Sequence, residues 1–290
     1  MATGKTQSME RFQVSLKTPA GQLTAPVEVP SGFVPVTAIV PLMRRLGEQA
    51  QTLEEQQAAA AGKTISCQKG CAACCRMLVP VSAPEAFALK DLVRSLPEPR
   101  RQTILNRLEE ARVRLEQAGL LERLTEVAET ERQLSDEEME PTNRDYYALR
   151  MPCPFLEDEI CTIHEDRPAA CRELLVTSPA ALCEDMTRNP VRTLPVPVRM
   201  STALGMLWSE VAGGPTRLIP LPLAVEWADR HANENRTTWS GGELLERGLD
   251  KVHRYLTHEF ASRQASATEG QPTEDGNPSA SERDRNEENT

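Results

Sequence analysis

Cys67-Gln-Lys-Gly-Cys71-Ala-Ala-Cys74-Cys75 places four thiols within nine residues of a 290-residue chain. The spacing is i, i+4, i+7, i+8, so a helix through this segment would carry all four on one face of two turns. Such a face suits a metal. The other four cysteines, Cys153, Cys161, Cys171 and Cys183, follow much later, so a shared site requires the fold to bring the two groups together. Adjacent Cys74 and Cys75 add a constraint. Their side chains would leave a helix about 100° apart, so ligating one ion through both calls for irregular backbone or a multinuclear site.

The thiolate is the metal-binding form of cysteine, and soft sulfur selects zinc, copper(I) or iron–sulfur clusters over magnesium or calcium. Four sulfurs complete a tetrahedral zinc or one cubane cluster. Eight thiols leave a surplus that either serves a second metal or has no ligand role. Two rival readings stand beside the metal: buried cysteines acting as small apolar residues, and a redox dithiol at Cys71-Ala-Ala-Cys74. No βαβ pattern surrounds the latter, as a thioredoxin-like site would need. Arg76, Arg167 and Arg172 lie close to the cysteines in sequence and are candidates to offset thiolate charge, with surface ion pairing as the alternative. His164, three residues after Cys161, is a candidate nitrogen ligand. Tyr146 and Tyr147 read as packing aromatics.

Composition sets the wider frame. The length allows a sizeable core without staples, and abundant Glu, Leu, Arg and Ala with little aromatic content predict a mainly α class. A net charge of -10 argues against broad nucleic-acid binding, which uses a basic face to displace counterions. The first ten residues lack the apolar core of a signal peptide, and no stretch has the length of a membrane span. A cytoplasmic protein is expected, where clustered cysteines serve as ligands more often than as disulfides. Phosphate-binding loops, dinucleotide fingerprints, H-E-x-x-H and G-x-S-x-G are absent.

Helical periodicity runs from about Val36 to Ala61, with Pro41 in the first turn and Gly62 as the exit. Ser82-Ala-Pro-Glu85 has capping-box spacing ahead of Leu89, Leu92, Val93 and Leu96. A second helix carries Ile104, Leu108, Ala111 and Leu115 to Gly119, and the acidic 120–140 region reads as a third, exposed helix. Met151 to Ile163 predicts a small β-hairpin, and Arg167-Pro168 opens a short helix holding Cys171. Further helices are expected over Met200 to Val211, over 222–232, and after the capping box Ser240-Gly-Gly-Glu243. Residues 1–32, interrupted by Pro19, Pro26 and Pro30, are expected to form a flexible lead-in, and 261–290 a disordered acidic tail.

The full pattern, Cys67-x3-Cys71-x2-Cys74-Cys75 with Cys153-Pro-Phe-Leu-x4-Cys161-x-Ile-His164-x2-Arg167-Pro168-x2-Cys171-Arg172, resembles the YkgJ-like cysteine-cluster proteins, also called the CxxCxxCC family. That family is described as a zinc- or iron-chelating domain. The resemblance covers about Ile65 to Cys183 and implies that the seven motif cysteines belong to the metal site, with Cys183 as an eighth. The family often has Tyr where His164 stands. A similar cysteine pattern occurs in flagellin lysine N-methylases, whose group-transfer activity is an alternative reading.

The expectation is therefore an irregular, mainly α-helical domain over 33–260, with a cysteine-rich metal-binding core at about 65–183 and a small β-hairpin. Its function is expected to be the holding of an iron–sulfur or zinc centre by Cys67, Cys71, Cys74, Cys75, Cys153, Cys161, Cys171 and Cys183. A metal-dependent group-transfer enzyme, and an interaction protein with a structural zinc and a protein partner, are the alternatives. An open coordination position would favour the enzyme.

Overall fold

The computed structural model describes residues 8–269 other than Lys69 and Gln133. The chain opens with an antiparallel pair, β1 (Met9–Thr18) and β2 (Gly21–Pro30), joined through Pro19 and Ala20. Val14 and Leu16 on β1, and Leu23, Ala25, Val27 and Val29 on β2, are all buried. This is the period of two that puts alternate side chains on one face. The expected flexible lead-in over 1–32 is thus corrected to a hairpin across 9–30, while residues 1–7 lie outside the described residues. Its prolines are tolerated because the two-stranded sheet leaves β2 with one edge unpaired among the described residues. Pro26 and Pro30 share a parity, so both present the position of their missing N–H to that edge.

β3 (Phe33–Val34) follows, then α1 (Val40–Ala60), with proline in its first turn as expected. After the first cysteine segment, β4 (Pro80–Ser82) enters α2 (Ala83–Ser95), whose capping box between Ser82 and Glu85 is formed. Next come α3 (Glu98–Gln117), α4 (Leu121–Glu129) and α5 (Asp136–Ala148). The acidic region is therefore two helices, the second started by its own capping box at Ser135 and Glu138. β5 (Leu156–Glu157) and β6 (Ile160–Cys161) form the small hairpin. Its turn residues Asp158 and Glu159 take positive φ of 48° and 59°, the geometry that suits a two-residue hairpin, without the glycine that usually supplies it.

The rest of the chain comprises α6 (Ala170–Glu173), α7 (Met200–Ala212), β7 (Leu218–Pro220) paired with β4, α8 (Ala224–Arg230), β8 (Trp239–Ser240) paired with β3, and α9 (Gly241–Glu269). The expected disordered tail from 261 is corrected as far as Glu269, where helix continues. Ala, Arg, Gln and Glu in that stretch can extend a helix already nucleated by packing. Residues 270–290 lie outside the described residues. The molecule is mainly α, as composition predicts.

The main core forms around α2, which packs against α7 and α8. Phe87 on α2 stands 5.5 Å from the ring centroids of both Trp208 on α7 and Trp227 on α8. Burying such aromatics stabilises by a few kcal/mol each. α7 in turn meets α1 and α9, and the terminal hairpin lies on α1 and α9. Among the described residues no helix is long and apolar enough to cross a membrane.

The start of α9 approaches the end of β2 so closely that a Cβ on Gly241 would collide with the Pro30 carbonyl, whereas nothing lies within 4 Å of one at Gly214. Gly241→Ala should therefore destabilise the fold by about 1–3 kcal/mol, the usual cost of forcing backbone apart. Gly214→Ala should be close to neutral. Chemical denaturation of the two variants checks the contrast, and equal midpoints would show that the α9–hairpin junction is not tightly packed.

Candidate metal centre

The first cysteine segment is not the regular helix that its spacing allows. Gly70 has φ of 88°, and only Ala73–Arg76 closes into a short 3₁₀ turn. The irregular backbone distributes the thiols differently from two turns of one helix face. Cys67 lies against the loop after α6: Ser66 N–H donates to the Val176 carbonyl at 2.9 Å, and Val176 N–H donates back to Cys67 Sγ at 3.4 Å. At the other end, Cys153 N–H donates to the Cys75 carbonyl at 2.8 Å. The two cysteine regions are thus joined through their main chains, as a shared centre requires.

The remaining thiols arrive on separate elements. Cys161 ends β6, opposite Leu156 of β5. Cys171 sits in α6, where its N–H donates to the Pro168 carbonyl at 3.1 Å. Cys183 is buried in the 3₁₀ turn Ala180–Asp185, which packs on the Ala73–Arg76 turn. Tyr147 secures that segment. Its hydroxyl lies 3.3 Å from the Cys183 and Glu184 carbonyl oxygens and accepts from Met186 N–H at 3.2 Å. Tyr146 is buried among Leu115, Leu124 and Met151. The tyrosine pair therefore supports the cysteine region through packing and one polar anchor.

α6 is placed by a buried carboxylate. Glu85 accepts from Ser82 N–H at 3.1 Å, Ser82 hydroxyl at 2.9 Å and Ser201 hydroxyl at 2.7 Å. Its other oxygen accepts from Ala169 N–H at 2.8 Å, two residues before Cys171. Arg44 Nε lies 3.6 Å from Glu85 and Arg44 Nη1 donates to the Asp166 carbonyl at 2.9 Å. This one side chain joins α2, α7, α1 and the entry to α6.

The three arginines near the cysteines divide by role. Arg76 makes a two-pronged pair with Glu159 at 3.0 and 2.7 Å, tying the first cysteine segment to the turn of the hairpin. Arg172 pairs with Glu48 and donates Nε to the Arg167 carbonyl at 3.1 Å. Arg167 is different: its Nε is buried without a hydrogen-bond partner, and its charge acts on Cys67 and Cys74. His164, proposed from sequence as a nitrogen ligand, is exposed and faces Glu165 at 3.2 Å.

The thiols lie within electrostatic range of one another. Burial pushes Cys67 upward, with Cys74 and Cys71 adding to the effect. Burial also raises Cys153 to about 12 and Cys171 well above the ordinary thiol value. Hydrogen bonding between the adjacent pair lowers Cys74 and raises Cys75. Burial raises Cys183 too, and Cys67, Cys71 and Cys74 are its thiol neighbours. Among the described residues, however, no three Cys, His, Asp or Glu side chains are drawn together closely enough to hold one ion. Sulfurs sharing a tetrahedral zinc stand only ~3.8 Å apart, given bonds of about 2.3 Å. Ligation would require the gathered thiols to shed their protons and close inward. The donor set fits a soft metal in chemistry, since gathered thiols, backbone N–H and the half-buried Arg167 guanidinium all favour thiolate once a cation is present.

Residues 66–189 match the CxxCxxCC family. The family is described as a "putative zinc- or iron-chelating domain", and the match spans all eight cysteines. It agrees with the YkgJ-like resemblance read from their spacing. No curated protein and no solved structure matches the chain. The CxxCxxCC segment includes α2 to α6, but its Glu85 anchor is completed by Arg44 and Ser201 from outside the matched range. Sequence reading identified Glu85 as a capping residue and missed its reach to Ala169. Only the ionisable character of a residue amid an apolar stripe hinted at it.

Removing the Glu85 charge leaves Arg44 buried without its counterion, so Glu85→Gln should destabilise by about 3 kcal/mol. Thermal or denaturant unfolding measures this, and a change within about 0.5 kcal/mol, the usual range for a surface substitution, would show that the carboxylate is not a structural anchor. Metal affinity should also fall with pH. Thiols held protonated by burial must release those protons on ligation, which costs up to about tenfold per pH unit for each proton. Chelator competition across neutral to mildly acidic pH tests this, and a pH-independent affinity would contradict thiol ligation.

Proposed function

We propose that this chain is a metal-binding protein in which Cys67, Cys71, Cys74, Cys75, Cys153, Cys161, Cys171 and Cys183 supply thiolates to a zinc or iron–sulfur centre. The observation that carries the reading is the return of the second cysteine region onto the first. The Cys75–Cys153 main-chain bond and the Cys67–Val176 contact bring together thiols far apart in sequence. Apolar packing alone has no need to collect so many thiols, and left without metal they would be prone to oxidation.

Zinc or iron at this position would supply positive charge that makes the thiolate form favourable and would link the segments carrying the ligands. The chain's own residues prepare that role. Glu85 fixes the start of α6, the β5–β6 hairpin presents Cys161, Tyr147 holds the Cys183 turn, and Arg167 provides uncommitted positive charge. These contacts support a centre that joins the irregular cysteine segments to the helical core, with binding free energy contributing directly to folding.

Anaerobic purification followed by metal and sulfide analysis tests the proposal. The protein should contain zinc, or iron with matching sulfide, and Cys71→Ala and Cys171→Ala should each lower the metal content. Folded, reduced protein with neither metal would overturn the reading. Unchanged content in both variants would reject those two residues as ligands.

A further inference from the structure

The terminal hairpin has two edges, and only one is closed to further pairing. Ser31 N–H donates to the Ser8 carbonyl at 2.9 Å, in the same register as the β1–β2 pairs, so the even-numbered residues of β1 are those bonded to β2. Met9, Arg11, Gln13, Ser15 and Lys17 therefore turn their N–H and C=O groups to the opposite edge, where among the described residues no strand pairs with them. On β2 the outward positions include Pro26 and Pro30, which have no N–H to offer an added strand. β1 contains no proline. Its charges, which could guard such an edge, are committed within the chain: Arg11 Nε lies 2.6 Å from Glu28, and Lys17 Nζ stands 5.8 Å from the centroid of the Phe260 ring. A long open edge of this kind is a template for another strand.

The core-facing side of β1 also runs past its cover. Val14 and Leu16 are buried, but Phe12, which shares their face, is 39% exposed. The start of α9 meets the tip of its ring, since a Cβ at Gly242 would lie 3.6 Å from Phe12 Cζ. A strand added at the open edge would lie beside this ring and cover it.

We propose that the β1 edge is the interface between two copies of this chain, which pair antiparallel about a two-fold axis at Phe12 to make a four-stranded sheet. The strand's own charges select this register. Centring on Arg11 would set two arginines opposite each other, and centring on Val14 would set Arg11 opposite Lys17 of the second copy. Centring on Phe12 instead sets Arg11 opposite Gln13, Met9 opposite Ser15 and Glu10 opposite Val14, with no like charges facing. The two Phe12 rings then meet in a non-hydrogen-bonded pair, the closer kind, and bury one another. Centring on Gln13 also avoids like charges but keeps the two rings apart. Pairing through β1 uses both open edges at once and leaves the proline-bearing edges of β2 outermost, so the assembly closes as a dimer and does not propagate. No cysteine takes part, and the interface is independent of the metal centre.

The test is sedimentation velocity of the full-length chain over a wide concentration range, in reducing buffer so that disulfide-linked dimers do not form, with amide hydrogen exchange of β1 measured alongside. The wild type should pass from monomer to dimer as concentration rises, and the amides of residues 9, 11, 13 and 15 should exchange more slowly as it does. Gln13→Pro, opposite Pro26 across the hairpin, removes an outward N–H and should leave a folded monomer by circular dichroism. Gln13→Lys changes only an exposed side chain and sets like charge against Arg11 of the second copy at two symmetric places, so it should weaken association about tenfold even if the proline variant fails to fold. Gln13→Glu should strengthen it. A wild type that stays monomeric throughout would overturn the proposal, as would a dimer that Gln13→Lys leaves unchanged. Edge amides protected equally at every concentration would overturn it too, and would assign the edge to another segment of the same chain.

Discussion

The carboxylate of Glu85 is the constraint on which the arrangement depends. A charge this deeply buried is tolerable only when its lone pairs are occupied and a counterion is near; Ser82, Ser201 and Ala169 donate to it, and Arg44 stands 3.6 Å away as the counterion. The partners come from different parts of the chain. One local device, the capping box of α2, is thereby extended into a tertiary clamp. Because Ala169 directly precedes α6, the clamp that orders the central helix also fixes where Cys171 enters the cysteine region. The site is built on the core rather than appended to it.

Around that anchor the cysteine segments are held mainly by backbone contacts and by charged pairs at their outer ends. Arg76 with Glu159 and Arg107 with Glu157 restrain the two sides of the small hairpin, at 2.7 and 3.2 Å. Exposed pairs of this kind contribute little stability individually. Their value is positional, since they limit the movement of a short hairpin that carries Cys161. The thiols themselves oppose closure while uncharged, because burial disfavours their ionisation. A cation reverses that balance, so the same burial that penalises an isolated thiolate would protect a metal-bound one from water.

Much of this architecture is legible in the chain. The capping box at Ser82, the Ser240 hydroxyl that caps the start of α9, the proline in the first turn of α1 and the breaks after Gly119 and Gly213 act locally, so the residues involved announce their helices. The hairpin at Leu156 to Cys161 is likewise encoded by two short β-favouring runs. The hairpin over 9–30 was hidden because its prolines look disruptive until the strand is known to have an unpaired edge. Its alternation of Val14 and Leu16 with Leu23, Ala25, Val27 and Val29 was the available signal. The cysteine types and spacing point to a metal, and the adjacent Cys74 and Cys75 leave irregular backbone open as an alternative to a helix; Gly70 and the 3₁₀ turn create such an irregular path. Which thiols become neighbours depends on tertiary contacts such as Cys75 with Cys153, and no local pattern contains them.

The most direct measurement is X-ray absorption at the metal edge of protein loaded anaerobically with the metal it retains on purification. The account predicts a first coordination shell of sulfur at about 2.3 Å. A shell dominated by oxygen or nitrogen at about 2.0–2.1 Å would place the metal elsewhere and contradict a centre built from the gathered cysteines.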